Sequence, residues 1–104
     1  MEDTMRTERI KQLVEEKKER YIALSDAVWA VPELGLKEYE SCKLLVRALK
    51  EEGFAVEENV DDIPTAFIAT YGTGRPVIGL LAEFDALPGL SQEAALPEHR
   101  PLVE

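Results

Sequence analysis

RPVIGLLAEFDALPGL, at residues 75–90, is the stretch that decides the fold. Its apolar centre, VIGLLA, lies between Gly-Arg-Pro before it and the breaker Pro88-Gly89 further on, and it predicts a central strand at residues 75–82 that is covered on both faces. Such strands belong to parallel or mixed sheets, whose ligands bind beyond the carboxyl ends of the strands. Glu83 and Asp85 follow at that end and, in extended backbone, share one side. Periodicity alone does not decide between a functional site at Asp85 and a solvated acidic strand end.

The composition indicates one small soluble globular domain. The chain has 104 residues, of which 45% are hydrophobic and 32% charged, and its formal net charge is -9. This charge argues against a nucleic acid or an anionic membrane as partner, because both attract Lys and Arg. One cysteine, Cys42, cannot form an intrachain disulfide. Residues 1–9 lack the apolar core of a signal peptide and no apolar run reaches the ~20 residues that span a bilayer, so we expect a cytoplasmic protein.

Two helices are predicted before the strands. Apolar residues recur at helical spacing over residues 8–31, which predicts the first helix. The second is predicted at residues 37–52, with Glu38 in its first turn, where negative charge suits the helix dipole, and Gly53 as its C-terminal cap. Cys42 lies on the apolar stripe of this helix and is interpreted as a small buried hydrophobe rather than a nucleophile.

The period of the sequence then changes to that of strands. Residues 54–58 and 65–71 predict two strands from their alternation and their β-branched and aromatic content, and residues 75–82 predict the third. Residues 91–104 have no clear period and are predicted to be a loop or tail. The predicted fold is α/β, with two helices followed by three strands of a mixed sheet. The two helices cover one face of the most apolar strand and leave its other face uncovered. We therefore expect the front part of a larger α/β domain.

Three segments resemble a known family. WAVPELGLKE at residues 29–38, the Gly53-Phe54 exit from a helix and GLLAEFDALPGLSQE at residues 79–93 are similar to the N-terminal part of the zinc-dependent amidohydrolases and peptidases of the aminoacylase and carboxypeptidase type. The branch most resembled contains p-aminobenzoyl-glutamate hydrolase subunits and amino-acid-conjugate amidohydrolases. The resemblance covers roughly residues 8–93. It implies a three-layer catalytic domain, interrupted later in the chain by a smaller lid and dimerisation domain.

The resemblance also implies a reaction. A divalent two-metal site, with zinc as the expected metal, would hydrolyse an amide bond of an N-acyl amino acid, an aminobenzoyl-glutamate-like compound or a dipeptide. In that chemistry the metals activate a bridging water and polarise the carbonyl, while a Glu acts as general base. Asp85 matches the family Asp that orients a metal-ligating His. Glu83 is assigned no metal role.

The metal ligands of the family are not matched in these 104 residues. The branch's first ligand segment, His-x-Cys-Gly-His, is not found, and neither His99 nor Cys42 matches a ligand. Because a metal site needs several converging ligands, we expect none in this chain, which predicts that the fragment alone is inactive. We expect the parent to bind a small amide substrate, with no nucleic acid and no membrane as partner; a homo-oligomer is left open.

A second function class stays open from the residues. A complete small acidic α/β protein would instead act by association, through the uncovered face of its sheet.

Overall fold

The structure is a computed structural model that describes residues 2–102, and it divides into two compact units between Val31 and Pro32. The first unit is one α-helix, α1, at Glu2–Trp29, and none of its residues is buried. It begins earlier than the predicted 8–31. Its first turn carries Glu2 and Asp3, whose negative charges favour a helix N-terminus. Neither helix within residues 2–102 is long and apolar enough to cross a membrane.

The second unit carries one helix and a two-stranded sheet. Its elements, in chain order, are helix α2 (Tyr39–Glu51), strand β1 (Ala55–Glu58), a short 3-10 helix (Val60–Asp62) and strand β2 (Phe67–Thr70). The strands are antiparallel, with Ala55 opposite Thr70 and Glu58 opposite Phe67. Two helices followed by paired strands confirm the predicted α/β class.

The end of α2 follows the prediction. Gly53 adopts a left-handed conformation at φ 94°. Its N–H donates to the carbonyl of Lys50, and the N–H of Phe54 donates to the carbonyl of Leu49, each at 3.0 Å. This pair of bonds is the Schellman pattern, which satisfies carbonyls that the helix itself leaves without partners. Gly53 therefore turns the chain out of α2 and into β1.

The small core lies between α2 and the two strands. Cys42 and Val46, one turn apart on α2, are its buried apolar residues, which confirms the predicted burial of the cysteine. Burial, followed by the negative charge of Glu58, raises the pKa of the Cys42 thiol. The neutral thiol is thereby favoured over the nucleophilic thiolate.

The prediction of a third strand at residues 75–82 is wrong for this structure. No strand forms there, and the segment is fully exposed, with Leu80 at 96% and Leu81 at 97% of their maximal accessible surface. A strand exists only where a neighbouring strand satisfies its backbone hydrogen bonds. Within residues 2–102, β1 and β2 pair with each other and no assigned strand pairs with this segment. The apolar run indicates a tendency to be buried, but it carries no information on what covers it.

Residues 91–102 form neither a helix nor a strand, in agreement with the predicted loop, and the last two predicted loop residues, 103–104, lie outside the described residues. The amide side chain of Gln92 fastens this loop. It accepts from the N–H of Arg100 at 2.9 Å and donates to the carbonyl of Glu98 at 2.6 Å.

Candidate functional site

The N-terminus of α2 is capped by a carboxylate from the connector that precedes it. One Glu33 oxygen accepts the backbone N–H of Glu40 at 3.0 Å, and the other accepts both the N–H and the hydroxyl of Ser41 at 2.7 Å. These N–H groups belong to the first turn, where the helix offers no carbonyl partner. The bonds from Glu40 and then Ser41 favour the ionised carboxylate and lower the pKa of Glu33 below its ordinary value.

A tight turn brings Glu33 back to the start of α2. The N–H of Lys37 donates to the carbonyl of Leu34 at 2.9 Å, and Leu36 adopts a left-handed conformation at φ 68°. The left-handed conformation thus falls on Leu36 and not on the neighbouring glycine, Gly35.

Glu38 precedes the first residue of α2, but its side chain does not cap the helix. Its carboxylate accepts the hydroxyl of Thr65 at 2.8 Å. Both side chains are buried, with 8% of Glu38 and 3% of Thr65 exposed. This bond connects the start of α2 to the residues that lead into β2. It also supplies the hydrogen-bond donor that a buried carboxylate requires.

Asp85 is held in place by the residues on either side of it. The N–H of Ala86 donates to the carbonyl of Glu33 at 2.7 Å, within a parallel bridge between Leu34 and Ala86. On the other side, the ring of Phe84 lies 5.9 Å from that of Phe67 on β2, centroid to centroid. Asp85 itself is exposed. Its position is therefore set by the connector and by β2.

One carboxylate oxygen of Asp85 and one of Glu38 lie close to Gly35. A Cβ added to residue 35 would lie 3.8 Å from an Asp85 oxygen and 3.9 Å from a Glu38 oxygen. Both distances are ordinary van der Waals separations, so residue 35 lies within contact distance of both carboxylates. Residues 33–38 and 84–86, named the junction from here on, form the candidate site. The junction joins the two longer segments that carried the family resemblance.

Comparison with known proteins supports that resemblance. No model of a protein family matches the chain. It is 47% identical over 85 residues to a p-aminobenzoyl-glutamate hydrolase subunit of Escherichia coli (strain K12), an alignment that covers 82% of this chain and 18% of that protein. The chain belongs to the amidohydrolases and peptidases of the aminoacylase and carboxypeptidase type.

Two further relatives in this family are peptidases. Xaa-Arg dipeptidase of Homo sapiens is 34% identical over 93 residues, covering 76% of this chain and 21% of the relative. Thermostable carboxypeptidase 2 of Saccharolobus solfataricus is 35% identical over 83 residues, covering 78% of this chain and 21% of the relative. The chain thus spans about a fifth of the length of the curated amidohydrolases and peptidases it matches.

The described part of this amidohydrolase and peptidase family member does not fit a metal site. Among residues 2–102, no group of three or more His, Cys, Asp or Glu side chains is placed to hold a metal ion. Glu83 and His99 are exposed, and Cys42 lies in the core. Asp85 supplies an exposed carboxylate acceptor at the junction.

Sequence reasoning did not identify Glu33 or Gly35 as residues of the site. Glu33 lies six residues before Tyr39, the first residue of α2, which is too far for the usual helix-capping patterns. Both residues belong to the PELG motif at residues 32–35. This motif carried the family resemblance, but the sequence alone indicated no physical role for its members.

Proposed function

We propose that this chain is the N-terminal portion of the catalytic domain of a metal-dependent hydrolase that cleaves an amide bond. The proposal is supported chiefly by the 47% identity, over 82% of the chain, to a protein named as a subunit of p-aminobenzoyl-glutamate hydrolase. The other relatives are named as a dipeptidase and carboxypeptidases. All these names describe hydrolysis of an amide whose nitrogen belongs to an amino acid. The substrate class we propose is therefore an N-acyl amino acid, an aminobenzoyl-glutamate-like compound or a dipeptide.

Asp85 is the residue of this chain to which we assign a part in the reaction. Its exposed carboxylate, at the junction, is proposed to accept a hydrogen bond from a histidine of the parent polypeptide that is not among these 104 residues, and so to orient that histidine as a ligand of a divalent metal, with zinc proposed. Because the described residues do not themselves form a metal site, the isolated chain is proposed to be inactive. The parent is proposed to act in the cytoplasm on a small amide substrate.

The test is an assay of the full-length polypeptide that carries these residues. Purified with zinc, it is expected to release p-aminobenzoate from p-aminobenzoyl-glutamate, or an amino acid from an N-acetyl amino acid or dipeptide. Asp85→Asn is expected to lower kcat by roughly 10- to 100-fold, because it weakens the hydrogen bond that orients the ligand.

Glu83→Gln is the matched control, because it removes an exposed carboxylate two residues away that has no assigned role. Full-length protein that hydrolyses none of these amides would contradict the proposal. Hydrolysis by the 104-residue chain with stoichiometric zinc would contradict its assigned inactivity.

The exposed segment at residues 75–82 favours a second candidate, an acidic module that associates through this apolar surface. Contiguous exposed apolar residues mark a partner site or an aggregation liability. This segment has four large apolar side chains, those of Val77, Ile78, Leu80 and Leu81. Their complete burial in an interface would favour association by roughly 6–12 kcal/mol, as an upper estimate. Size-exclusion chromatography with light scattering separates the candidates. A stable homodimer with one cooperative melt favours the module, whereas an aggregating monomer favours the catalytic fragment.

A further inference from the structure

We propose that Glu33 is a positioning residue that holds Asp85 in place. This inference rests on the function proposed above for its effect on catalysis, while its structural part stands on the geometry of the junction. Glu33 is the residue at which two sets of hydrogen bonds meet: its side chain bonds to α2, and its backbone bonds to the residue that follows Asp85.

The side-chain bonds fix Glu33 to a rigid element. Its carboxylate accepts three hydrogen bonds from Glu40 and Ser41, at 2.7 to 3.0 Å, and Ser41 is fully buried in the first turn of α2. Charge-assisted bonds of this kind are about twice as strong as neutral ones. Residue 33 is therefore located by α2, although it lies outside the helix.

The backbone bond passes this position on to Asp85. The carbonyl of Glu33 accepts the N–H of Ala86 at 2.7 Å, and Ala86 is bonded covalently to Asp85. The helix, Glu33 and the Asp85 segment are thus connected in series. A change in the carboxylate of Glu33 moves the carbonyl on which Ala86 depends.

The nearest alternative, Glu38, does not replace this connection. One of its carboxylate oxygens is engaged by Thr65, and its side chain makes no cap bond to α2. Glu38 approaches Asp85 only across Gly35, where both carboxylates are acceptors and form no hydrogen bond with each other. Positioning by hydrogen bonds at the junction therefore depends on Glu33.

The structural arm of the test uses the 104-residue chain and amide hydrogen exchange followed by NMR. Glu33→Gln keeps the shape of the side chain but turns one acceptor oxygen into an N–H₂ donor, which cannot accept the N–H of Glu40. We expect exchange of the Ala86 amide to become at least about tenfold faster, since local protection follows the free energy of local opening.

Glu40→Gln is the matched control. It makes the same charge change at the start of α2, but the Glu40 side chain pairs with Lys43 at the surface. Protection of the Val46 amide in the centre of α2 reports whether the helix is intact. If the helix unfolds in Glu33→Gln, Ser41→Ala provides a milder change that removes the hydroxyl donor and leaves both backbone N–H donors. Unchanged Ala86 exchange in a variant with an intact helix would overturn the proposal.

The catalytic arm uses the full-length hydrolase and a double-mutant cycle. Glu33→Gln is expected to lower kcat by about tenfold with KM unchanged, and to have no further effect in the Asp85→Asn background, because the two residues act through one position. A merely structural role would instead multiply the two losses, and this result would overturn the proposal. Full-length protein without hydrolase activity would contradict the proposed function alone, since the exchange of Ala86 still decides whether Glu33 holds the Asp85 segment.

Discussion

The buried hydrogen bond between Thr65 and Glu38 gives the sharpest prediction for stability. Thr65→Val keeps the shape of the side chain and removes the hydroxyl that donates to the Glu38 carboxylate at 2.8 Å. Both residues are buried, so water does not freely replace the lost donor. A hydrogen bond to a charged group contributes about 1.5–3 kcal/mol. We expect Thr65→Val to lower the free energy of unfolding by about that amount.

The assay is urea unfolding of the 104-residue chain, followed by far-UV circular dichroism. Thr70→Val is the matched control, because it makes the same substitution at an exposed position of β2. Exposed substitutions of this kind change the free energy of unfolding by no more than about 0.5 kcal/mol. The two variants are therefore expected to differ by at least about 1 kcal/mol, which the linear extrapolation resolves.

Two results would refute this reasoning. Equal losses in Thr65→Val and Thr70→Val would show that the hydroxyl of Thr65 contributes nothing beyond an exposed one. A double-mutant cycle that combines Thr65→Val with Glu38→Ala gives the coupling between the two side chains directly, and a coupling of zero would mean that the bond does not stabilise the fold.

A buried thiol, a capping carboxylate and an exposed apolar segment give three further outcomes. Because burial raises the pKa of Cys42, its alkylation by iodoacetamide at mildly alkaline pH should be at least ~tenfold slower in the folded chain than in urea. The bond from the Glu40 N–H lowers the pKa of Glu33 below its ordinary value, so the stabilisation from this carboxylate should be present above its unfolded pKa and lost as the pH falls through its lower folded pKa. Urea titrations across pH should therefore show Glu33→Gln less stable than the unsubstituted chain at neutral pH and equal to it in acid. Leu80→Asp should reduce self-association in light scattering, whereas Thr73→Asp, which adds the same charge without removing an apolar residue, should not.

The parts of the fold with local signals could be predicted from the sequence. The helical spacing of apolar residues located α1 and α2, and the alternation after Gly53 located β1 and β2, with differences at the ends of each element. Gly53 was identified because a left-handed residue after a helix strongly favours glycine. These signals are carried by a few neighbouring residues and do not depend on the rest of the protein.

The third strand and the cap of α2 could not be predicted because both depend on distant partners. The apolar content of residues 75–82 indicates burial, yet a strand requires a neighbour, and no assigned strand within residues 2–102 pairs with this segment. At the other end of the unit, Glu38 stood where a charge suits the helix dipole, but the structure directs it to Thr65 and uses Glu33 as the cap. The turn around Leu36 brings Glu33, and not Glu38, to the N-terminus of α2. A leucine in the sequence does not predict the left-handed backbone that this turn needs.

Asp85 is positioned in the structure by contacts other than those the sequence predicted. The sequence placed Asp85 at the tip of a buried strand, so that its position would depend on residues 75–82. In the structure that strand is not formed, and Asp85 is nevertheless held through Ala86 to Glu33 and through Phe84 to Phe67. Substitutions in the exposed segment should therefore alter association and leave the Asp85 segment in place. Substitutions at Glu33 should do the reverse, because the position of Asp85 is set by the connector and the helix that it caps.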